Sequence, residues 1–172
     1  MGMRVLTAAA AAALATTAIV TSLAIPAGAA TGDPAASGGE VGGRVSGDAR
    51  LDGEQEVPGP GDPDGHGRFQ YKIHHDTFCY KLSVSDIGHP TEAHLHIAPR
   101  GETGPVALAL KTPSKYGKIS DCVKAQEHQN PDNATAVLTH WELQAIKHDP
   151  FLFYVNIHNK EFPDGAIRGQ LA

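Results

Sequence analysis

Two stretches hold the side chains best suited to chemistry, Ala93-His94-Leu95-His96-Ile97 and Tyr154-Val155-Asn156-Ile157-His158. Each alternates apolar with polar residues, the period of a β-strand. Side chains two apart in a strand share a face, about 6.6–6.8 Å apart along the backbone. His94 and His96 therefore point one way, and Asn156 and His158 do the same. Where the two strands neighbour or face each other, three imidazoles converge. Neutral imidazole is a ligand for zinc, copper and nickel, and three protein ligands leave one coordination position open. The alternative is a polar network in which the rings bond backbone carbonyls and carboxylates and lock the strands together.

Other chemistries find little support. There is no G-x-S-x-G elbow, P-loop or H-E-x-x-H segment in the chain. Copper redox chemistry is the one enzyme class the residues keep open, and the sequence favours a non-catalytic module over it. His74-His75 falls in an expected turn, His148 in the last turn of an expected helix, and His66, His89, His128 and His140 read as surface residues.

Residues 1–29 read as a signal peptide: Arg4 precedes an Ala/Val/Leu/Ile-rich run, and small residues offer cleavage after Ala29 or Ala30. Residues 30–46 are rich in Gly, Ala, Ser and Pro and read as a flexible tether. Residues 47–172 are left as one domain of ordinary size, with no further span for a membrane in the mature chain. Loss of Arg4 with the leader takes the formal charge from −5 to −6, which argues against nucleic acid as a partner. In a secreted, extracellular chain the two cysteines, Cys79 and Cys122, read as one disulfide. Closing a loop of about 43 residues contributes about 3–4 kcal/mol in the chain-entropy model.

Strands are expected over residues 50–57, 67–73, 78–84, 93–97, 105–110, 151–158 and 166–171, separated by Gly/Pro turns. Residues 111–133 read as polar connection. Thr139-His140-Trp141-Glu142 fits a capping box, with Leu143 and Ile146 on an apolar stripe and Pro150 as the stop, so one short helix is expected near Thr139–His148. Trp141 reads as its core anchor. Short strands with a single helix indicate an all-β, antiparallel sandwich or barrel.

Three ordered blocks then resemble a known family. Leu51-Asp52-Gly53-Glu54-Gln55-Glu56-Val57-Pro58 is similar to the opening signature of chordin-type CHRD domains. Ala93 to Ile97, followed by Gly101, Gly104 and Pro105, resembles the His-x-His segment of that family. Tyr154 to His158, with Phe162-Pro163-Asp164-Gly165-Ala166-Ile167-Arg168-Gly169-Gln170-Leu171, resembles its ending, although Asp164-Gly165-Ala166 stands where the family usually has Gly-Glu after the proline. The resemblance implies an immunoglobulin-like, Greek-key β-sandwich and a secreted binding module, the partner being an extracellular protein or cell-envelope component. Growth-factor antagonism, the role of animal chordin, does not transfer, since fold does not carry function. A smaller likeness links the His-x-His strand to the copper-ligand strand of Cu,Zn superoxide dismutases.

Within these blocks the expected metal ligands are His94, His96 and His158, holding copper or zinc. Glu56, Asn156 and Arg168 are the polar residues of the family blocks that would orient the rings, and Glu56 is also a candidate fourth ligand. In the structural alternative, Arg168 pairs with Glu56 or another acid.

Overall fold

The computed structural model describes residues 44–172; the expected signal peptide and most of the tether lie outside the described residues. The strands are β1 Val45–Asp52, β2 His66–His74, β3 Thr77–Ser85, β4 Pro90–Ile97, β5 Val106–Ala109, β6 Lys118–Lys124, β7 Phe153–Asn159 and β8 Ile167–Gln170, with one helix, α1 His140–His148, before β7. All named pairings are antiparallel, in the order β5-β4-β7-β8-β1-β2-β3-β6. The all-β antiparallel expectation with one short helix therefore holds. The sheet is continuous and curls into a half-barrel, its two halves meeting where Asp52 of β1 registers with Arg168 of β8.

The core follows from alternation. Phe69, Tyr71 and Ile73 of β2 and Phe78, Tyr80 and Leu82 of β3 are buried, while the residues between them are not. Phe69 lies 5.6 Å from Tyr80 and 6.3 Å from Phe78 between ring centroids, an aromatic cluster with offset-stacking spacing. Leu95 of β4, Val155 and Ile157 of β7 and Ile167 of β8 join the same core from the other half.

Helix α1 begins as its sequence dictates. Thr139 Oγ1 accepts from the Glu142 backbone N–H at 3.1 Å, and the Glu142 carboxylate accepts from the Thr139 N–H at 2.8 Å. Leu143 and Ile146 are the buried stripe. Trp141 does not anchor it: at 70 % exposure it stands on the opposite side, and the buried position beside it belongs to the capping carboxylate of Glu142.

Two further expectations are corrected. The strand expected over 50–57 ends at Asp52, because the Asp52 carboxylate accepts from the Gln55 N–H at 3.1 Å and turns Gly53–Gln55 into a 3₁₀ segment. The segment read as polar connection over 111–133 contains β6, an edge strand whose side chains alternate between exposed and half-buried. Its solvated row carries Lys118 and Lys124, and Asp121 interrupts the half-buried row between Ile119 and Val123, which hid its period. In it, Cys122 pairs directly opposite Cys79 of β3, and the two form the disulfide. Replacing both cysteines with serine is expected to cost about 2–3 kcal/mol, since cross-links often deliver less than loop entropy alone implies. Urea unfolding of the double variant checks it, and a loss below about 0.5 kcal/mol would contradict the role as a staple.

Candidate metal site

The site is built on the face of β4, β7 and β8 that points away from the core. His94 registers with Asn156, His96 with Tyr154, and Glu92 with His158, where β4 pairs with β7. On the other side of β7, Arg168 of β8 registers with Asn156. Directly opposed residues share a face, so these seven side chains form one polar field backed by Leu95, Val155 and Ile157.

Two segments cover that field. The turn after β4 bends back so that the Gly104 carbonyl meets His96, and the segment after β1 lies along the start of β8, with the Asp62 N–H donating to the Ala166 carbonyl at 2.8 Å. Asn156 is only 4 % exposed and Arg168 only 2 %, although both lie on the outer face of the sheet. The three histidines stay partly exposed.

The expected ligands do come together. One nitrogen from each of His94, His96 and His158 lies within 4.8 Å of the other two, and Nδ1 of His94 is 3.2 Å from Nε2 of His158. Two nitrogens bound to one zinc at about 2.0–2.1 Å with a tetrahedral angle stand about 3.3–3.4 Å apart. The spacing of that pair is already close to what a shared ion requires.

Backbone carbonyls fix two of the rings. A carbonyl only accepts, so Nδ1 of His158 donates to Pro163 O at 2.9 Å and Nδ1 of His96 donates to Gly104 O at 2.9 Å. The lone pair of His158 is thereby left on Nε2, which faces His94. Nε2 of His94 in turn faces the Glu92 carboxylate at 3.5 Å. Nε2 of His96 meets Oδ1 of the Asn156 side chain at 3.0 Å.

Electrostatics favour the uncharged form of His94 and His96. Burial pushes the His94 pKa down, neighbouring His158 and His96 push it further, and Glu92 opposes them. Burial also lowers that of His96 against the bonds to Gly104 and Asn156, while His158 and Arg168 add to the lowering. A neutral imidazole is the form that binds a metal.

Arg168 does not pair with Glu56, contrary to one expectation. Its guanidinium donates to Glu102 O at 2.8 Å and Pro99 O at 3.1 Å, and its Cζ lies 3.5 Å from the centre of the Tyr154 ring. That ring stacks in parallel with His96, 4.7 Å between centroids. Glu56 is instead folded against the turn before β8, where a Cβ on Gly165 would stand 2.4 Å from its carboxyl carbon; this position also has φ +146°, so glycine is required there twice over. Glu56 is not in the histidine cluster, so the fourth-ligand expectation finds no support among the described residues. Its Oε1 is buried without a partner, and burial raises its pKa to about 7 against the pull of Arg168 and the Val57 N–H.

Sequence reasoning passed over Glu92, Tyr154, Gly104 and Pro163. Glu92 and Tyr154 carry a readable signal, being two residues from His94 and Asn156 on the same faces. The two carbonyls carry none, because every residue has one.

A family model, the CHRD domain, matches residues 48–171. No match was found among curated proteins or among solved structures.

Proposed function

From the chain's membership of the CHRD domain family, we propose that it is an exported, non-catalytic binding module that holds one copper or zinc ion through His94, His96 and His158. The observation that carries this reading is the 3.2 Å approach of His94 Nδ1 to His158 Nε2, with His96 in the same cluster. Carbonyl-fixed rings support it, because a bound histidine usually gives its second nitrogen to such an acceptor. Export is supported by the Cys79–Cys122 disulfide, and no helix among the described residues is long and apolar enough to cross a membrane. The macromolecular partner is an extracellular protein or cell-envelope component.

The test is a titration of chelator-stripped protein with Zn²⁺ and Cu²⁺. One equivalent is expected to bind at micromolar concentration or below, and His158→Ala is expected to weaken binding about 100-fold or more, at or beyond the range seen when a supporting partner is lost. At 100 times the dissociation constant, metal should stabilise the chain by about 2.7 kcal/mol. No saturable binding, or equal destabilisation by His94→Ala and His158→Ala with and without metal, returns the histidines to a structural role. The copper-dependent redox alternative rests on the coordination position that three ligands leave open. Superoxide dismutation by the copper-loaded protein would establish that alternative instead.

A further inference from the structure

The three histidines are not equivalent. His158 has Nδ1 committed to Pro163 and bonds through Nε2 to Nδ1 of His94 at 3.2 Å, so its second nitrogen meets another candidate ligand. His96 also has one nitrogen committed, Nδ1 to Gly104 at 2.9 Å, but its other nitrogen is already engaged by Asn156 at 3.0 Å. The atom facing Nε2 is the amide oxygen, which, with Nδ1 donating to Gly104, is satisfied only by a second proton on a charged ring; turned about, the amide NH₂ donates to the lone pair of an uncharged ring. In neither orientation is a lone pair offered to an ion.

The amide has few other places to be. Asn156 lies in the middle of three paired strands, opposite His94 on one side and Arg168 on the other, and is 4 % exposed. Stacking on Tyr154, together with the Gly104 bond, holds the His96 ring where the amide reaches it. The resting site is therefore a pair, His94 and His158, bonded to each other, with the third imidazole held by a residue outside the three.

We infer that Asn156 is a latch on the three-histidine site, holding Nε2 of His96 until an incoming divalent ion displaces the amide. The latch sets affinity: the ion gains a third nitrogen only by breaking a buried hydrogen bond. It also keeps the His96 ring ordered when no ion is bound. The inference rests on the three-histidine reading, and the experiment separates the two.

The full chain, Asn156→Ala, His96→Ala and the double variant are titrated with Zn²⁺ against a chromophoric chelator. Releasing one hydrogen bond of ordinary net strength should tighten zinc binding by Asn156→Ala about 5–10-fold. The single His96→Ala and the double variant should bind with equal, weaker affinity, because without His96 there is nothing to unlatch. Asn156→Ser, which shortens the side chain but keeps it polar, guards against loosening of the strands and should also tighten binding. Imidazole nitrogen spectra of metal-free protein should show the Nε2 resonance of His96 moving in Asn156→Ala while its Nδ1 stays protonated. Unchanged or weaker binding by both Asn156 variants, or tightening that persists without His96, overturns the latch. Failure of the unsubstituted chain to bind zinc removes the latch by a different route, because it removes the three-histidine site.

Discussion

Arg168→Met is expected to cost about 3–5 kcal/mol of stability and to loosen the loop over the histidines. Two hydrogen bonds from a charged donor, to Glu102 O and Pro99 O, contribute about 1.5–3 kcal/mol each. Contact with the Tyr154 face adds about 1–2 kcal/mol where the cation is desolvated. Partial rehydration of the two carbonyls offsets some of that loss, because Pro99 and Glu102 are surface residues. Arg168→Lys should recover little, since an ammonium cannot reach two carbonyls as a planar fork while lying over a ring. The Gly104 carbonyl belongs to the same loop, so the orientation of His96 should suffer with it. Urea unfolding at neutral pH measures the first effect, and a loss under about 1 kcal/mol would contradict the clamp.

The second large effect depends on pH and belongs to Glu56. Its pKa of about 7 in the folded chain lies above the ordinary 4.5, so the folded state holds the proton more tightly than the unfolded state does. Stability from this group is complete below about pH 4.5 and is lost as pH rises through 7, reaching about 3 kcal/mol at 1.36 kcal/mol per pH unit. His94 and His96 act with the opposite sign, since pKa values lowered below 6.5 give stability that is present above that pH and lost as it falls. The two slopes overlap, so the unsubstituted chain should show a shallow dependence between about pH 5 and 7. Glu56→Gln removes one slope and exposes the other. Its melting temperature should rise across that window, and at pH 8 its unfolding free energy should exceed that of the unsubstituted chain by about 2 kcal/mol, less than the full shift because an amide leaves donors to satisfy. Thermal melts from pH 4 to 8 decide it; parallel profiles for the two proteins would mean that Glu56 does not titrate as its burial implies.

Much of this was legible from side-chain period alone. The Phe69-Tyr71-Ile73 alternation and the Thr139-Glu142 capping box each name their element, and the structure has both. The three histidines were readable because strand period puts His94 with His96, and the ordered family blocks bring His158 alongside. Strand β6 escaped because an edge strand need bury only one row, and Ile119 and Val123 are too few to announce it. Trp141 misled because bulk suggests burial, while the capping geometry had already assigned the inward position to Glu142. The carbonyl partners of Arg168 at Pro99 and Glu102 were out of reach because a main-chain oxygen leaves no mark in the sequence, whereas an acid in the same blocks invites pairing. Glu56 has its real neighbour in Gly165, a residue identified by what it lacks.

The polar field and the hydrophobic core are two sides of the same three strands. Leu95 lies between His94 and His96, and Val155 and Ile157 flank Asn156. A slip of one residue by β4 against β7 would turn its histidines into the core and Leu95 out of it. Correct assembly of the three histidines is thus enforced by the burial energy of their neighbours, not by any affinity among the imidazoles themselves. A chain that has folded at all has its three imidazoles in place, so the cluster is proofread by the core beneath it.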